Sequence, residues 1–166
     1  MEMVTMNNRQ TVTALVTELN KYPMNQGEKI PWVYEKVIDE KRQLPFFSWT
    51  IANAHQRITF KHVGEPFLKV IQLKVHCDDP LEASDRIEWL QNVLGSMQPQ
   101  VDLAQQGISI VEVSDPEPLD EDWTSAVENQ VGVTVTLMIN PDYRDQTQVG
   151  ELDSVEPNIK ITKEES

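Results

Sequence analysis

Basic residues are scarce in this sequence. Fourteen lysines and arginines stand against 27 aspartates and glutamates, a formal net charge of −13 over 166 residues. A protein that grips nucleic acid needs a basic face to displace counterions from phosphates. No Lys/Arg cluster is present, so tight nucleic-acid binding is not expected. The acidity reads as a source of solubility. Cysteine is nearly absent: Cys77 stands alone, which excludes an internal disulfide and suits a reducing compartment. No run of about 18 apolar residues occurs, so no helical membrane span is expected. The opening "MEMVTMNNRQTVTALV" lacks the basic start and apolar core of a secretory signal. The six glycines are scattered, with no phosphate-cradling loop and no Gly-x-Ser-x-Gly elbow. Only three histidines exist, His55, His62 and His76, and none has a partner at zinc-ligand spacing. His55 and His62 are the nearest pair, seven residues apart, and no cysteine accompanies them. Carboxylates are too abundant for any one pair to signal acid–base chemistry. No metal, cofactor or catalytic residue is expected.

What is present is periodicity. Val12, Leu15, Val16 and Leu19 share one face of a helix predicted over about Asn8–Lys21. "YPMNQGEKIP" reads as a connection and "WVYEKVI" (Trp32 to Ile38) as a strand. In "LPFFSWTIANAHQRITF", Phe47, Trp49 and Ile51 alternate along a strand, "NAHQ" suits a turn, and "RITF" suits a returning arm. "FLKVIQLKVHC" points Ile71, Leu73, Val75 and Cys77 to a core face, and Gln72, Lys74 and His76 to a wet face. His76 and Cys77 thus diverge and are poorly placed to share a metal.

The acidic run after Cys77 has a structural explanation. Asp79 precedes Pro80, which suits the first position of a helix, and Glu82 stands at capping-box spacing. Ala83, Ile87, Leu90, Leu94 and Met97 then form a stripe along a helix of about five turns, with Trp89 beside it. "SMQPQVDLAQQ" reads as a loop with a helical turn. "GISIVEVSD" is apolar on both faces and reads as a central strand. "VGVTVTLMI" is the most regular strand, with Val131, Val133, Val135, Leu137 and Ile139 on one side. The polar segment 141–166 either pairs as a short edge strand around Ile159 and Ile161 or reads as a flexible or partner-ordered tail after a single domain over 1–140. Strands mostly follow one another without intervening helices. That order predicts an α+β class, with a mostly antiparallel sheet of four to five strands covered by two amphipathic helices.

Trp123 stands in the acidic connection "LDEDWTS". Large aromatics on connections anchor interfaces, and the alternative is that Trp123 folds back over the sheet. With Asp120, Glu121, Asp122 and Arg57 it makes up the candidate interface set.

With its elements placed, the chain resembles the tail-terminator, or neck, proteins of long-tailed bacteriophages. Three stretches carry the likeness: "LPFFSWTIAN", "KVHCDDPLEASDRIEWLQNVL" and "DLAQQGISIVEVSDPEPLDEDWTSAVENQVGVTVTLMI". Their order and spacing make the case over roughly Thr11 to Asn140. The family's final strand often carries an arginine near the Glu, where this chain has Gln130. The resemblance implies a non-catalytic virion protein of the tail neck, assembled in the host cytoplasm. It implies a homo-oligomeric ring, typically of six, that caps the tail tube and stops its polymerisation. It further implies contacts with the tail-tube protein and with head-completion or connector proteins. Genome DNA passes through the lumen without specific binding, which the acidity suits, and no membrane is involved. Another neck or minor tail component is the nearest alternative. A small cytoplasmic enzyme or ligand-binding α+β domain is the more distant one. That last reading requires a pocket of convergent polar groups, and it points first to His55, Arg57 and His62.

Overall fold

A computed structural model of the chain describes residues 6–38, 42–58, 65–118 and 129–141. The first helix, α1 (Asn8–Asn20), starts where two side chains satisfy its free amides. Asn7 Oδ1 accepts from the Gln10 amide at 2.8 Å, and Gln10 Oε1 accepts from the Asn7 amide at 3.0 Å. A short strand, β1 (Trp32–Tyr34), follows and turns at once into a 3₁₀ helix over Glu35–Val37. The strand expected over Trp32–Ile38 is therefore confined to its aromatic end.

The next strand, β2 (Phe46–Arg57), is longer than expected. No turn forms at "NAHQ"; the chain stays extended through it. Register slips at Ile51–Asn53 and Asn53–Gln56 absorb the irregularity, as β-bulges do. β3 (Phe67–Cys77) pairs antiparallel with β2 and puts Ile71, Leu73, Val75 and Cys77 fully into the core. At its end Asp79 caps α2 (Pro80–Gly95) by accepting from the Leu81 amide at 2.9 Å. Glu82 turns away from the cap to bind Arg86. Ser96 is extended and breaks the helix, so Met97 leaves the α2 stripe and lies 83% exposed at the start of α3 (Met97–Ala104). The loop expected there is this third helix, with Pro99 in its first turn, where a missing amide costs nothing.

The sheet has six strands in the order β1-β2-β3-β6-β4, with β4 (Ile108–Val113) and β5 (Glu117–Pro118) both laid against β6 (Asn129–Ile139). Only β1 and β2 run parallel. The class is α+β with a largely antiparallel sheet, as the element order implied. β4 corrects one expectation: among the described strands it stands at the edge of the sheet, not in its centre. Val111 at its bulge is 55% exposed, and α3 rather than another strand covers its apolar residues.

The core lies on one face of the sheet. Leu15 and Leu19 of α1 and Ile87, Leu90 and Leu94 of α2 pack over the inward residues of β3 and β6. The opposite face has a small layer of its own. His76, expected in water, is 3% exposed. Its ring stacks on Phe46 at 4.3 Å, and its Nε2 lies 2.8 Å from Ser48 Oγ. Phe46 is held beneath the Arg42 guanidinium, 5.5 Å from the ring centroid.

Candidate functional site

One cleft stands out, between α2, the end of α1, the 21–31 connection and the start of β2. Its volume is about 310 Å³. Aromatic rings form its floor and sides. Trp32 stacks on Phe47 at 4.5 Å and 12°, and Trp89 tilts against Phe47 at 5.9 Å. Trp89 Nε1 donates to the Tyr22 carbonyl at 2.7 Å, which ties the connection to α2. Leu19 and Ile30 complete the apolar wall.

Ionisable side chains also meet at this cleft. Arg86 is 4% exposed, a buried cation that requires partners. Its Nη2 lies 2.7 Å from both Glu28 Oε1 and Glu82 Oε1, and its Nε donates to Glu82 at 2.9 Å. Burial alone would depress the guanidinium, but its hydrogen bonds to Glu28 and Glu82 outweigh that and hold it above its ordinary value. The same Arg86 hydrogen bond, helped by Asn25, holds the Glu28 carboxyl below its ordinary value against a smaller effect of burial. Two carboxylates thus saturate one cation. The cluster pins the connection to α2 and leaves little donor capacity for an anionic ligand. Of this triad only the Glu82–Arg86 spacing, four residues along a helix, is a sequence signal. Glu28 is 58 residues from Arg86, and no local pattern reveals that pairing.

A second polar cluster joins α1 to α3. Lys21 binds the buried Glu18 at 2.7 Å and reaches Asp102 at 3.5 Å. Glu18 Oε2 is satisfied by Lys21, while Oε1 has no hydrogen-bond partner among the described residues. Asp102 is held below its ordinary value, chiefly by the Gln98 amide and further by Glu18 and Lys21. Among the described residues no group of three or more His, Cys, Asp or Glu is placed to hold a metal ion.

The sequence candidates do not gather at the cleft. His55 is exposed on β2 and stacks on Phe67 at 4.0 Å, and Arg57 is exposed at the strand's end. Neither lines the cleft. His62, Trp123, Asp120, Glu121 and Asp122 lie outside the described residues. Cys77 is fully buried, and burial pushes its thiol up to about 11. At pH 8 a thiol-specific reagent is therefore expected to leave the folded protein unlabelled and to react fully after denaturation. Rapid labelling of the folded chain would contradict this burial.

Backbone at the two sides of the sheet is a further candidate surface among the described residues. β1 covers only Phe47, Ser48 and Trp49 of β2. Beyond it, Ala52 to Arg57 are all exposed, and no described strand pairs with the outer edge of this stretch. On the far side of the sheet β4 pairs, among the described residues, only with β6. A scan against protein-family models matches no family, and a search of curated proteins finds no match to the chain.

Proposed function

We propose that the protein is a structural subunit of a phage tail neck, a tail-terminator-like subunit that closes with copies of itself into a ring at the head-proximal end of the tail tube. The ring stops tube growth and presents a surface to head-completion proteins, while genome DNA crosses an acidic lumen without being bound. The resemblance over Thr11–Asn140 supplies the family. The single observation that carries the reading furthest is a sheet with two different edges on opposite sides that are unpaired among the described residues. A ring needs a heterologous contact, in which one surface of a subunit meets a different surface of the next. Each edge presents unpaired backbone groups suited to a neighbouring strand. The chemistry at the cleft is self-neutralised and makes no demand for a substrate.

The test is sedimentation and native mass spectrometry of the full chain, alone and with tail tubes assembled from the tube protein of the same genome. Closed rings, or rings that form only on tubes and halt their growth, are the expected result. A strict monomer at high concentration that leaves tubes growing overturns the reading.

The cleft favours a second reading, a small ligand-binding domain. Its volume of about 310 Å³ stands at the lower end of the range for small-molecule sites. A ligand seated there would quench or shift Trp32 and Trp89 fluorescence. Association without any such spectral change separates the two readings.

A further inference from the structure

We propose that copies of this chain join through their sheets, the outer edge of β2 on one copy pairing antiparallel with the outer edge of β4 on the next. The proposal rests on the ring reading for the identity of the partner, a second copy.

Strand direction permits this contact. β2 to β3, β3 to β6 and β6 to β4 are each antiparallel, so β2 and β4 run in opposite directions within one sheet. If a second sheet is placed beside the first with its helices on the same side, β4 meets β2 antiparallel. That is the more stable ladder geometry.

Charge selects this pairing over the symmetric ones. The open stretch of β2, from Thr50 to Arg57, carries Arg57 and His55 and no acid. The opposite edge, from Ile108 to Pro118, carries Glu112, Asp115 and Glu117 and no base. Antiparallel pairing of β4 with its own copy faces acids with acids, and pairing of β2 with its own copy concentrates the basic residues. Like charges across a ladder destabilise it and opposite charges stabilise it. The head-to-tail arrangement is the one that brings the acidic edge to the basic one.

The open stretch of β2 also lacks the lysines and prolines that usually guard an edge. Bulges interrupt both strands, at Ile51–Asn53 in β2 and Ile110–Glu112 in β4. Bulges bend a strand and add twist. Successive sheets therefore turn about an axis instead of extending as a flat ribbon.

Cross-linking of the full chain tests this directly. Asn53→Cys on β2 and Val111→Cys on β4 replace exposed residues, and the buried Cys77 stays in place as an unreactive thiol. With a short bis-maleimide, the double variant is expected to give a ladder of covalent multimers. Each single variant is expected to stay almost wholly uncross-linked. Dimers from either single variant at the yield of the double variant would show a symmetric contact and overturn the proposal. No cross-link in the double variant would overturn it as well. A second arm reverses charge: Arg57→Glu or Glu112→Arg alone should weaken self-association about tenfold. Failure of either variant to weaken it counts against the pairing. Rings that form without cross-links or charge dependence would sink this contact and leave the ring reading intact. A cross-linked ladder whose products never cap tubes would support the contact and defeat the ring reading.

Discussion

Replacing Phe47 by alanine is expected to destabilise the protein by about 3–4 kcal/mol. Phe47 is 1% exposed. It faces the core from β2, opposite Val75 of β3, and carries a Trp on each side. Truncation removes the transfer energy of the ring and both aromatic contacts, and Trp32 and Trp89 lose the surface that positions them. The cleft already borders this site, so the vacated volume joins existing space and water enters it. That keeps the loss toward the lower part of the range for large aromatic truncations. Against a total stability of about 5–15 kcal/mol for a domain, such a loss leaves a marginal fold. The melting temperature should fall by about 10 °C. Urea unfolding followed by far-UV circular dichroism measures the loss, and tryptophan emission should shift to the red in the folded variant. Phe47→Leu should recover more than half of the loss, because it refills most of the volume. A cost under about 1 kcal/mol for Phe47→Ala would mean that the aromatic floor is not packed as described.

The prediction depends on a residue whose inward direction was legible in the sequence, and much of the fold was legible in the same way. The alternation in β3 and β6 survives because both strands have a helix layer on one face and a wetter surface on the other. Period two is then enforced by burial itself. The α2 cap was legible because Asp79 and Pro80 act locally. The failures are tertiary. His76 alternates like a surface residue, yet Phe46 lies across from it in the β2–β3 register and closes over it. "ISIVEV" is apolar enough for a central strand, and a single bulge at Val111 turns part of it to solvent. The α3 helix buries only Pro99 and Leu103, too few for a periodic signal. Of the candidate site, Trp32, Phe47 and Trp89 were each visible as aromatics. Their convergence depends on three elements far apart in the chain. The Glu28 half of the ion cluster comes from a connection with no periodicity to read.

Arg86→Met should cost about 2–3 kcal/mol at pH 7, and the cost should shrink as the solution is acidified. Methionine keeps much of the aliphatic stem, so what is lost is the cation that holds Glu28 and Glu82. Breaking a buried ion cluster by removing one member typically costs about 3–5 kcal/mol. Here the two carboxylates retain side-chain exposures of 28% and 32%, so water recovers part of the penalty. The pH dependence follows from the direction of the Glu28 shift. Its folded-state pKa lies below its ordinary value of 4.5 because Arg86 donates to it. A depressed carboxyl stabilises the folded state above the unfolded-state pKa, and that stability is lost as pH falls through the folded value. The wild type should therefore lose this contribution below about pH 4.5, while the variant has none to lose. In the variant the two carboxylates also repel one another, and protonation relieves them. Urea midpoints for both proteins at pH 7, 5 and 3 should converge on acidification. A gap of the same size at pH 7 and pH 3 would mean that Arg86 matters through the packing of its stem. The triad would then not be the electrostatic clamp that fixes the connection to α2.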